Sequence, residues 1–449
     1  MTSPQQGSNN LGISGKSTNG QGKSQRYQQP ATFLKYDLQR AAQSILHDHN
    51  KAAHEQHRTC WCHRGVARAI DSVAVYRQES GKSARLHGVT TCKSVWACPV
   101  CSAKICAVRQ SELELANKSW VGKGGQTFLL TLTFPHERGV PLAQLLHGFT
   151  RAKGFFKNSR TYKRILAKGV RTGSVSSLEV TLGQHGWHPH QHDLIFATAD
   201  CFGTELEQGE KLTTEQLHAG KVRMERSEDG RLSSRLIDEL KDEWYTALRK
   251  AGMCEQHQLQ DVLKHGLDVR GGQFAADYIA KFGKEQKWGL SREVTMHASK
   301  VGSDSKGAHP FQLLAWAMEG DGQSAADFRE YQQAFEGKRM LSWSRGLKKE
   351  LTGEDETTDD AAADKEMPEE SVVGRIDSAA LAILQSRRLL ANFLQYVAEH
   401  CHDPATAQEM IDGYLQLARE EYPRSARGEV KVKMWSRGFM HVDREKEVA

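Results

Sequence analysis

Between residues 187 and 196 the chain reads WHPHQHDLIF, with histidines at 188, 190 and 192. On an extended strand, alternate side chains share a face. Three imidazoles therefore crowd one side, an arrangement suited to a wet surface or to something that takes nitrogen ligands. The preceding segment, SVSSLEVTL (174–182), reads as a partner strand joined through GQHG. If the turn centres between Gln184 and His185, Glu179 lies opposite His190. If His185 and Gly186 form the turn, Glu179 lies opposite His192. Both registers put Glu179 on the histidine face. Two imidazoles and a carboxylate make an open site for a divalent ion such as Mn²⁺ or Mg²⁺. Such an ion can polarise a phosphodiester. His188 shares the face but precedes Pro189 at the entry to the segment, so it ranks behind His190 and His192.

A second constellation is thiol chemistry. Six of the nine cysteines fall between residues 60 and 106. Cys92, Cys98 and Cys101, the last two in CPVC, supply three thiolates, and Cys60 or Cys62 completes a tetrahedral set. Four sulfurs leave no open position, so the expected ion is a structural Zn²⁺ that closes a loop. His63 and Cys106 stand in reserve.

Phosphodiester cleavage also needs a nucleophile. In GGQFAADYIAKFGKE (271–285), Tyr278 and Lys281 stand three apart on a predicted helix and so on one flank of it. A tyrosyl oxygen can attack phosphorus and conserve the bond energy in a covalent link. A lysine beside it can neutralise the phosphate.

The elements that must position these groups are legible in outline. Residues 31–58 show helical spacing, and a helix is expected over 103–119. QTFLLTLTF (126–134) reads as a buried strand, and residues 233–251 and 274–282 read as helices. Residues 151–171 hold eight Lys or Arg and no acid, with Phe155, Phe156 and Tyr162 interleaved. Arg151, Lys153, Lys157, Arg160, Lys163 and Arg164 are the candidate DNA contacts, against the plainer reading of a solvated basic helix.

The chain has 449 residues and a formal charge of +6, enough for two or three domains and compatible with a polyanionic partner. No apolar run is long enough to cross a membrane, and residues 1–30 lack a signal-peptide core. The expectation is a cytoplasmic protein with a disordered polar tail (1–30) and a helix plus cysteine-rich segment (31–120). A domain holding the histidine hairpin and Tyr278 (121–352), an acidic linker (353–370) and a helical C-terminal region (371–449) follow, the last with one strong helix over 378–400.

FLLTLTFPH (128–136), LEVTLGQHGWHPHQHDLIF (178–196) and YIAKF (278–282), in that order, resemble the HUH-endonuclease replication initiators of rolling-circle plasmids. The CPVC segment, HPFQLL (309–314) and LSWSRGL (341–347) resemble the same group, so the likeness spans residues 58–352. It implies an α+β fold, a central antiparallel sheet with flanking helices. It implies nicking of one strand at the plasmid's double-strand origin, a 5′-phosphotyrosine and a free 3′-OH primer. By position it makes His190, His192 and Glu179 the metal ligands, Tyr278 the nucleophile and Lys281 its helper. A host helicase and the replication machinery are the implied partners. The chain departs from the pattern at Gln191, where relatives carry an apolar residue, and at Phe282, where some carry tyrosine. A relaxase or transposase shares the chemistry, but relaxases place tyrosine near the N-terminus. A catalytically inactive, zinc-containing DNA-binding regulator is the alternative from another class.

Overall fold

The computed structural model describes residues 31–67, 70–79, 83–206, 210–271, 307–365 and 370–421. The fold is α+β. Its centre is a five-stranded sheet in the order β10-β4-β5-β3-β9, antiparallel throughout. The strands are β3 (Gln126–Leu132), β4 (Arg171–Gly183), β5 (Gly186–Ala197), β9 (Leu267–Gly271) and β10 (Leu341–Trp343). Strand β3 forms where the sequence predicts it, with Phe128, Leu130 and Leu132 wholly buried on one face. The central strand is β5, which carries the three histidines.

Helices pack on both faces of this sheet. On one side α3 (Leu142–Asn158) and α4 (Arg160–Ile165) lie beside α5 (Arg235–Ala251). Phe149 and Phe156 of α3 meet Trp244 of α5 edge to face. The Trp244 indole donates to the Thr133 carbonyl at 2.8 Å, which pins α5 to the end of β3. On the other side α2 (Pro99–Gly122) reaches the start of β3, where Thr127 donates to Asn117 at 2.9 Å. Pro99 opens α2, a position that its fixed φ favours.

Two smaller sheets complete the count of strands among the described residues. The first joins β1 (Val73–Gln78), β2 (Ala84–His87) and β11 (Glu370–Ile376) in the order β11-β1-β2. The second holds β6 (Thr204–Glu205), β7 (Arg223–Arg226) and β8 (Leu232–Ser234), with β6 and β7 parallel. Helix α1 (Ala31–Leu46) packs against α2 and against α6 (Pro310–Met318), which is followed by α7 (Gly322–Phe335). No described helix is long and apolar enough to cross a membrane.

The C-terminal part differs from expectation in three ways. The acidic stretch read as a linker contains a helix, α9 (Asp359–Asp364), just beyond α8 (Leu347–Thr352), and both pack on α2. The cause is charge: Arg109, on the inner flank of α2, is buried and needs a carboxylate. It donates to Asp359 at 2.9 Å and to Glu112 at 2.8 Å, and Lys348 donates to Glu112 at 2.9 Å. Beyond it the chain first forms a strand, β11, before turning helical. The expected single helix over 378–400 is two, α10 (Ser378–Ser386) and α11 (Leu390–His400), ahead of α12 (Pro404–Glu421). Arg388 between them has φ of 57°, and the Leu389 amide closes back on the Leu384 carbonyl at 2.8 Å. That is a Schellman-type ending built without glycine.

Arg109, Glu112 and Lys348 are each at most 6% exposed. Removing one member of a buried ionic cluster leaves the others unpaired and costs about 3–5 kcal/mol. Glu112→Leu strands Lys348 and leaves Arg109 with Asp359 alone, and is expected to fall in that range by urea unfolding. Lys348→Met leaves the Arg109–Glu112 pair intact and is expected to cost clearly less.

Candidate metal centres and polar face

The turn between β4 and β5 consists of Gln184 and His185, so Glu179 pairs with His190 and Ser177 with His192. The first of the two registers considered is the one adopted. Gly186 follows the turn at φ of 88°, and a Cβ there would meet the Arg138 Cα at 3.1 Å. Glycine is thus required both by the backbone conformation and by the close approach of the loop after β3.

Glu179, His190 and His192 converge as the sequence implies. The Glu179 Oε2 lies 3.3 Å from His190 Nε2 and 3.6 Å from His192 Nε2. The far side of each ring is engaged as well. His192 Nδ1 is 2.9 Å from the Thr131 hydroxyl, and His190 Nδ1 is 3.4 Å from the His188 carbonyl. With Nδ1 carrying the proton toward those oxygens, both Nε2 lone pairs point at the carboxylate. Burial would raise the Glu179 pKa, but His192 and His190, when protonated at Nε2 instead, outweigh it and hold the carboxyl well below the usual range. The site therefore offers an anionic oxygen and two nitrogens within reach of one cation.

His188 stands outside this group, as its place before Pro189 suggests. Its Nε2 is 2.6 Å from the Thr133 hydroxyl, and its ring stacks on His136 at 4.6 Å. Burial, with His136 and His190 adding, pushes its pKa down to about 4. His309, the cap of α6, is likewise driven down to about 4 by burial, and its Nδ1 accepts the Phe311 amide at 3.2 Å. The alternating threonines of FLLTLTF are the sequence signal for the hydroxyls that orient these rings.

The reverse face of β5 explains Gln191. Its side chain accepts from Lys153 at 2.5 Å and donates to Asp193 at 2.6 Å. Lys157 pairs with Asp193 at 2.8 Å. Burial pushes Lys153 down to about 8, whereas Asp193 overcomes burial to raise Lys157. Two of the candidate DNA contacts, Lys153 and Lys157, are thus turned toward the reverse face of β5, to Gln191 and Asp193 respectively. Arg164 pairs with Glu239, while Arg151, Arg160 and Lys163 are exposed on α3 and α4. These helices lie against the sheet face opposite the histidines. Tyr278 and Lys281 lie outside the described residues, as do residues 1–30 and the expected helix over 274–282.

The thiols sort themselves cleanly. Cys62, Cys92, Cys98 and Cys101 form one buried cluster, with Sγ separations of 3.6 Å (62–101), 3.6 Å (92–101) and 3.7 Å (62–98). A tetrahedron of sulfurs about Zn²⁺ has edges of roughly 3.8 Å, from Zn–S bonds of about 2.3 Å. The four cysteines can hold a structural zinc. Cys98 and Cys101 flank the start of α2, where the helix dipole favours thiolate. Cys60 is directed elsewhere, 3.6 Å from the Gln43 carbonyl. His63 packs by Tyr36, and Cys106 touches Met340.

Two curated proteins are similar to this chain. One, from Streptomyces lividans, is called "Protein rep" and is 25% identical over 339 residues, 64% of this chain and 70% of that protein. The other, from Streptomyces cyanogenus, is called "Neomycin resistance protein" and is 28% identical over 169 residues, 32% of this chain and 38% of that protein. No protein-family profile and no solved structure matches.

Two outcomes follow. Purified protein is expected to carry about one zinc ion per chain, lost in Cys98→Ser and retained in Cys60→Ser, as read by metal analysis. The second concerns acid. His188 and His309 have folded pKa values near 4, against 6.5 for an ordinary histidine. Between those values the unfolded chain binds protons that the folded chain does not, so stability falls as pH drops through this window. His309→Asn keeps an acceptor at the cap and is expected to flatten that part of a melting-temperature profile.

Proposed function

We propose that this chain initiates rolling-circle replication of a plasmid as an HUH endonuclease, nicking one strand at the double-strand origin. The observation that carries the reading is the convergence of Glu179, His190 and His192 on one sheet face, with Thr131 orienting His192. The similarity to a protein named "Protein rep" supports it, as does the order of the three motifs.

In this reading Glu179, His190 and His192 hold Mn²⁺ or Mg²⁺. The bound ion supplies charge stabilisation at the scissile phosphate. The Tyr278 oxygen attacks phosphorus, and the P–O3′ bond breaks. The tyrosine hydroxyl gives up its proton as the new P–O bond forms, and the leaving O3′ takes up one proton in its place and becomes the 3′-OH primer, while the phosphodiester energy stays in the 5′-phosphotyrosine. No oxidant or water is consumed. Lys281 neutralises charge that builds on the phosphate. Only six residues separate Tyr278 from Gly271, the last described residue of β9, which pairs beside β3.

Exposed Arg151, Arg160 and Lys163 face away from the histidines, so they fit a contact with duplex flanking the nick. Origin DNA is the substrate, and a helicase and the host replication machinery are the partners that the free 3′ end requires.

The test is incubation of supercoiled plasmid bearing its own origin with the protein and Mn²⁺ or Mg²⁺, beside Tyr278→Phe. Metal-dependent nicked circles with protein on the 5′ end, absent from the variant, are expected. Nicking by the variant at the parental rate would remove Tyr278 from its role. Origin binding with no nicking by either protein would instead favour the regulator.

A further inference from the structure

Four imidazoles run in a row across the polar face: His192, His190, His188 and His136. Neighbouring ring centroids are 5.0, 5.6 and 4.6 Å apart in that order. The first two direct Nε2 to Glu179, but His188 and His136 do not. Their rings lie face to face, with an interplanar angle of 13°. Both are only partly buried.

This pair is built into the fold. Thr133 holds His188, as described above. His136 is anchored through Nδ1 to the Phe134 carbonyl at 3.3 Å. The loop that carries it is pressed against Gly186, where a Cβ would lie 3.2 Å from the Glu137 carbonyl oxygen. Two elements distant in sequence are thereby joined into one stack of two near-parallel rings, beyond the Glu179 cluster.

We propose that His136 and His188 form a stacking subsite for a nucleobase of single-stranded DNA, next to the phosphate that an ion bound by Glu179, His190 and His192 would face. The inference rests on the nicking reading above and adds a binding determinant to it. Planar side chains beside a phosphate-binding centre take bases by stacking, which tolerates sequence because every base has a π-face. Pairing rather than charge defines the pair: stacked imidazoles contribute surface, so their contribution does not depend on counterion release.

The probe is oligo(dT) of about twelve nucleotides against an abasic oligomer of equal length, which keeps the phosphates and removes the bases. Binding to the full-length protein is measured without added divalent ion. His136 lies outside β5, so His136→Ala is expected to leave thermal unfolding and Mn²⁺ binding intact. It is expected to shrink the dT-to-abasic affinity ratio by roughly 5- to 150-fold, the range for one lost stacked base. His136→Phe, which restores a ring, is expected to recover most of the ratio, and the salt dependence of binding is expected to stay the same in all three proteins. An unchanged ratio in His136→Ala, or a phenylalanine variant that behaves like the alanine one, overturns the subsite even if the plasmid is nicked. A ratio that falls and recovers as stated supports the subsite even if no nicking occurs.

Discussion

Everything at the polar face depends on the register of β4 against β5. The side-chain period of a strand is two, so a slip of one residue turns a whole set of side chains to the opposite face. Here the turn admits only Gln184 and His185, and Gly186 supplies a conformation and a closeness of approach that other residues resist. Glu179 is consequently delivered to His190 and His192. A lengthened turn would leave the same residues in the chain and no site between them.

Strand β5 is under polar demand from both sides. One face carries imidazoles, while the other buries Gln191 and Asp193 against Lys153 and Lys157 of α3. A buried carboxylate is tolerated only when it is paired and hydrogen-bonded, and Asp193 has both forms of partner. The lysines that satisfy it also tie α3 across the back of the strand. The polar residue at position 191 is thus accommodated by its surroundings, and its departure from an apolar pattern is matched by a lysine on the facing helix.

The hairpin was readable because a period of two and a glycine-flanked turn are local signals. So was β3, an apolar run stopped by Pro135. Choosing between Cys60 and Cys62 was beyond such signals, since a short turn over Arg58–Trp61 decides which sulfur faces the other three. Lys153 and Lys157 looked like surface charge because their partners, Gln191 and Asp193, belong to another element. The break at Arg388 carries neither glycine nor proline, and the apolar stripe runs through it. Strands β1 and β11 escaped notice for the same kind of reason: each is short, and what makes it a strand is the other.

That last pairing has a consequence for how the molecule comes into being. Val73 bonds alongside Ile376, about 300 residues later, so this sheet is assembled only by a contact of very high contact order. On the ribosome, the β1–β2 hairpin emerges long before its third strand and must wait with one edge unpaired. Unpaired edges template association with other chains. A message truncated between codons 344 and 370 would therefore release a protein with an intact histidine hairpin and an open edge, prone to aggregate whatever the state of its chemistry.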